Sequence, residues 1–142
     1  MIKFFGAAFA VATLGVAMTA CGQSNDLACD SSGATDAVIN IVKQKNPYEL
    51  LTTAIGSDNI DKQKSPWSSS EFYKWYNDIV ATASYSLKTI RMEDRNATTG
   101  AVTCAAKLGA DIPNYGGAEE DIEYKVEKTT DGNLYVTIQD LQ

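Results

Sequence analysis

The spacing of apolar residues along this chain changes near Tyr85, from three and four to two. A helix buries a stripe with the first spacing and a pleated sheet buries a face with the second, so a helical half is followed by a sheet half. In the first half, Ala34, Ala37, Val38, Ile41 and Val42 make one apolar face of a helix that Asp30 or Ser31 can cap. Asn46-Pro47 ends it, because the residue before a proline avoids helical geometry. Tyr48 to Ile55 reads as a short helix closed by Gly56, and Ser57 to Ser65, polar and charged, reads as a surface loop. A stronger helix spans about Ser69 to Ala83, capped from the Ser68-Ser69-Ser70 run, with Glu71 near its positive end. Phe72, Tyr73, Trp75, Tyr76, Ile79, Val80 and Ala83 share one side of it, an arc wider than the roughly 100° stripe of a surface helix. A curved sheet wrapped around this helix accounts for that width; an aromatic edge left in solvent is the alternative.

In the second half, Tyr85, Leu87 and Thr89 alternate with polar residues, and Ile90 and Met92 fall on the opposite parity, which a bulge explains. A turn at Asn96 to Gly100 leads to Val102, Cys104, Ala106 and Leu108. A second turn at Pro113 to Gly117 leads to Ile122, Tyr124 and Val126, and Asp131-Gly132 marks a hairpin before Leu134, Val136 and Ile138. Four strands joined by short turns form an antiparallel meander with one wet face. The expectation is an α+β domain over residues 29–142, with two or three N-terminal helices packed on the sheet. This order is similar to cystatin-like and nuclear-transport-factor-like folds, where a sheet curls around a helix. Fold alone licenses no function.

Of 142 residues, 12 are basic and 18 acidic, for a net charge of -6, and none is histidine. An acidic surface repels phosphate backbones, so nucleic acid is not an expected partner. Without histidine there is no Ser-His-Asp or Cys-His centre and no His-ligated metal.

Met1-Ile2-Lys3 is a short positive segment, and Phe4 to Val16 follow without a charged residue, too short a run to span a bilayer and suited to an export signal. Met18-Thr19-Ala20-Cys21 then resembles the lipobox of bacterial lipoproteins, with Met18 where leucine is usual. The resemblance implies a signal peptide over 1–20, cleavage after Ala20, acylation (palmitate among the chains) of Cys21, and a lipidated tether over 21–28. An ordinary signal peptide followed by a chance cysteine is the competing reading. Gly22 rather than Asp after the lipidated residue implies an outer-membrane anchor facing the periplasm if the source is enteric-like. With Cys21 acylated, Cys29 and Cys104 remain as a disulfide pair in an oxidising compartment, closing a loop worth about 4 kcal/mol. Two isolated buried thiols are the other possibility.

Catalytic motifs are absent: no Gly-x-Ser-x-Gly elbow, Ser-x-x-Lys pair, Cys-x-x-Cys or phosphate-binding glycine loop occurs. Carboxylates could still work as acid and base, but the densest run, Glu119-Glu120-Asp121, reads as a solvated charge cluster on an edge strand. That run could hold a calcium ion weakly, but the Asp/Asn spacing of a dedicated calcium loop is missing and Asp58-Asn59-Ile60-Asp61 lacks its glycine, so no metal or other cofactor is expected. The aromatics Trp67, Phe72, Tyr73, Trp75 and Tyr76 form the best binding candidate, because such rings bury large area at low entropic cost. Core packing accounts for Phe72 and Tyr76; Trp67, Trp75 and Tyr73 are read as partner-binding, with Glu119, Glu120 and Asp121 steering a basic partner. The functional expectation is therefore a non-enzymatic protein-binding lipoprotein, such as an inhibitor or immunity protein. A structural accessory of outer-membrane assembly is the alternative.

Overall fold

The computed structural model describes residues 27–64, 68–139 and 141. Helix α1 (Ser32–Lys45) starts where the Ser31 hydroxyl accepts from the Ala34 N–H at 3.3 Å. It stops at Asn46, whose φ of 49° is left-handed, a conformation asparagine tolerates better than most residues. Pro47 precedes α2 (Tyr48–Ile55), which buries Leu50, Leu51, Ala54 and Ile55 and closes at Gly56 with a φ of 87°. The stretch expected as a loop is instead a third helix, α3 (Ser57–Lys64). Its one buried anchor is Ile60, too little to give a periodic signal. Asp58 in the first turn, Lys62 and Lys64 in the last, and an Asn59 side chain donating to the Ile55 carbonyl at 2.8 Å hold it.

Helix α4 (Ser69–Val80) opens with a capping box in which Ser68 and Glu71 satisfy each other's backbone N–H groups. It ends before Ala83, since the Thr82 and Ala83 N–H groups turn back to the Ile79 and Val80 carbonyls. The described residues thus hold four helices where two or three were expected.

Strands β1 (Ser84–Arg95), β2 (Val102–Ile112), β3 (Gly116–Lys128) and β4 (Leu134–Gln139) form one antiparallel sheet in chain order. The α+β architecture and the meander are as the periodicity implied. The parity change in β1 is a bulge: the register slips between Lys88 and Arg91 and again between Met92 and Asp94, with Thr89 at a φ of 52°. A β-branched residue strains to adopt that angle. On β2, Val102, Cys104, Ala106 and Leu108 are buried on the helix-facing side, as are Ile122, Tyr124 and Val126 on β3. Helix α1 touches both sheet edges, β1 and β4, and so lies across the inner face. It takes the place expected for α4, which buries only Tyr76 and Val80.

Among the described residues, three bonds fasten the segment before α1 to this sheet. Cys29 is disulfide-bonded to Cys104, with a Cα separation of 5.7 Å. Tyr124, the register partner of Cys104, donates its hydroxyl to the Cys29 carbonyl at 2.7 Å. The Arg95 guanidinium donates to the Leu27 carbonyl at 2.8 Å. Burial, with Asp30 adding, pushes the Tyr124 phenol up to about 12, so it stays a donor. Replacing Tyr124 by Phe strands a buried carbonyl, and the expected cost is about 1–2 kcal/mol in denaturant unfolding with the disulfide intact. An unchanged midpoint and slope would show that the bond contributes nothing.

Candidate functional site

Helix α4 carries its aromatics on one broad side, and α2 and the β2–β3 turn bring two more rings to them. The Tyr48 and Tyr76 ring centroids lie 5.7 Å apart, Tyr76 and Phe72 are nearly parallel at 6.4 Å, and Phe72 meets Trp75 at 5.6 Å and Tyr73 at 5.8 Å. Trp75 in turn meets Tyr115 edge-on at 6.3 Å. Among the described residues the result is a continuous band of six rings. Tyr48 is 54% exposed, Tyr73 62% and Tyr115 37%, whereas Phe72 and Trp75 are half-buried and Tyr76 is 9% exposed.

Trp75 therefore divides its surface between core and solvent instead of standing free, because Phe72 and Tyr115 flank it. Tyr73, read with Trp75 as partner-binding, is the more exposed of the two. Trp67 and Cys21 lie outside the described residues. Tyr48 and Tyr115 escaped the sequence reading: the first opens a helix just after Pro47, and the second sits in a turn between Asn114 and Gly116. An aromatic inside a turn otherwise made of Pro, Asn and Gly is the signal that could have marked Tyr115.

The band borders a cleft of about 570 Å³ lined by Tyr48, Lys64, Ser69, Phe72, Tyr73, Tyr76 and Asn77. The Lys64 ammonium lies 5.8 Å from the centre of the Phe72 ring. The Tyr76 hydroxyl is buried and has no hydrogen-bond partner among the described residues. Burial first, then the neighbouring Tyr48 and Tyr85, push that phenol up to about 12, which keeps it protonated.

The acidic run does not act as one patch. Alternation along β3 puts Glu119 and Asp121 on the outer face, where Lys88 and Lys107 pair with them at 2.5 Å and 3.1 Å. Hydrogen bonding and charge from Lys88 lower the Glu119 carboxyl. Glu120 points to the helix-facing side with one carboxylate oxygen buried and without a partner among the described residues. The edge-strand expectation holds for only half of β3. In strand order β3 is interior, but β4 pairs with Glu123 to Lys128 alone, so among the described residues the stretch with Glu119, Glu120 and Asp121 has a strand neighbour on one side only. No group of three or more His, Cys, Asp or Glu among the described residues is placed to hold a metal ion. None of their helices is long and apolar enough to cross a membrane.

Burial, with Glu49 adding, raises the Glu120 carboxyl above the usual range. A carboxyl raised by folding favours its protonated form, so its ionisation opposes folding once the pH climbs through the raised value. The Glu120→Gln variant should match the wild type near pH 4 and melt above it by a gap that opens toward pH 7. A gap that stays constant across that range would contradict this environment for Glu120. No family model matches the chain, and no curated protein matches it.

Proposed function

We propose that the chain is an exported bacterial lipoprotein, acylated at Cys21, whose domain binds another protein and catalyses no reaction. The charge-free run Phe4 to Val16 followed by Met18-Thr19-Ala20-Cys21 supports export and anchoring, with Gly22 favouring an outer-membrane site facing the periplasm. The Cys29–Cys104 disulfide accords with an oxidising compartment. The observation that carries the binding reading is the six-ring band, since exposed tyrosines backed by half-buried Phe and Trp are the composition of interface hot spots. The paired Glu119 and Asp121 keep little charge for steering, so affinity rests on the rings.

The anchor is tested by labelling with a palmitate analogue. Cys21→Ala should abolish the label, and wild-type protein recovered without acyl mass from osmotic-shock fluid would remove the lipoprotein reading.

The binding surface is tested by crosslinking in the native envelope. Tyr48→Ala and Tyr73→Ala should each weaken partner capture by about 1–2 kcal/mol at unchanged melting temperature. Trp75→Ala should also lower stability, because half of that ring is packed. Full capture by a Tyr48→Ala, Tyr73→Ala double variant would overturn the assignment of the band.

A further inference from the structure

The cleft between α2, α3 and α4 has a chemistry more specific than a general aromatic surface. Its walls are Tyr48, Phe72, Tyr73 and Tyr76, and its polar groups are the Lys64 ammonium, the Asn77 amide, the Ser69 hydroxyl and the phenols. Among the described residues no carboxylate lines it, and none pairs with Lys64. Ammonium and phenol groups offer protons, so the polar groups are weighted toward donors, set against ring faces that suit a flat apolar group. Its volume suits a group of one or two amino-acid residues. Tyr76 contributes its ring to the wall, while its hydroxyl is closed off from solvent and has no hydrogen-bond partner among the described residues.

The geometry points to a binding site for an aromatic side chain flanked by a carboxylate, presented on a loop of the partner protein, with the ring against Phe72 and Tyr73 and the carboxylate held by Lys64. The occupant rests on the protein-binding reading above; the site itself rests on the cleft. The net charge of -6 belongs to the whole chain, whereas Lys64 is the one charged residue among the described residues that line the cleft. A glycan, the other class of ligand that stacks on aromatic walls, has no carboxylate requirement, and this separates the two.

The test uses the full chain in lipid nanodiscs and ligand-observed saturation-transfer NMR. The probes are N-acetyl-L-phenylalanine, its neutral amide and triacetylchitotriose. The acid should bind at least about five-fold more tightly than the amide. Lys64→Gln, with its melting curve checked, should bring the two affinities together. Phe72→Ala, with its melting curve checked, should lose both ligands. Equal binding of acid and amide to the wild type, a preference that survives Lys64→Gln, binding retained by folded Phe72→Ala, or saturation by the chitotriose in their place would each overturn the assignment. Partner capture that is undiminished in Lys64→Gln and Phe72→Ala would overturn the cleft while leaving the protein-binding reading in place. The expected probe discrimination with no partner captured by any form would keep the cleft and remove that reading.

Discussion

The fold depends on how the segment ahead of α1 is held against the middle of the sheet. Cys29 meets the sheet at Cys104 on β2, the strand paired along its length with both β1 and β3, and Tyr124 beside it binds the Cys29 carbonyl. The covalent loop encloses all four helices and β1. Closing a loop of that size removes unfolded-state entropy worth roughly 4 kcal/mol, a large share of the stability of an ordinary domain. The hydrogen bond adds direction to the constraint. It fixes where the carbonyl before α1 points, and α1 then crosses the inner face and reaches both edge strands.

The sheet was legible because its signals are strictly local. Alternation marks each strand, Asp131-Gly132 marks a hairpin, and the misplaced parity of Ile90 and Met92 foretold the slip that Thr89 produces. The helical half was less legible, for two reasons. Helix α3 has a single buried side chain, so its helicity comes from end charges and from Asn59 clamped to Ile55, neither of which leaves a period. The second reason concerns α1 and α4. A helical wheel reports how wide an apolar face is, not which partner covers it, and the broad face of α4 meets neighbouring rings and solvent instead of a wrapped sheet.

The same limit governs the candidate site. Ring clustering within α4 could be read from the chain, but Tyr48 and Tyr115 join the band only through tertiary placement, 24 or more residues from the nearest ring of α4 in each sense of the fold's logic: one across the α2–α4 contact, the other across the β2–β3 turn. The acidic run shows the reverse. Three consecutive carboxylates look like one patch, yet a strand sends alternate residues to opposite faces. Two become cross-strand partners of lysines, and the third is left half-buried near Glu49.

The position of the disulfide also decides how the domain carries mechanical load. Tension drawn along the chain from Leu27 reaches Cys29 and passes through the sulfur bridge directly into β2. The helices and β1 lie inside the bypassed loop and bear none of it through their own backbone. Hydrogen bonds to β1 and β3 flank the loaded strand on both sides, so extracting it requires breaking two ladders and not one. A domain pulled by its leading end therefore resists at its best-held strand.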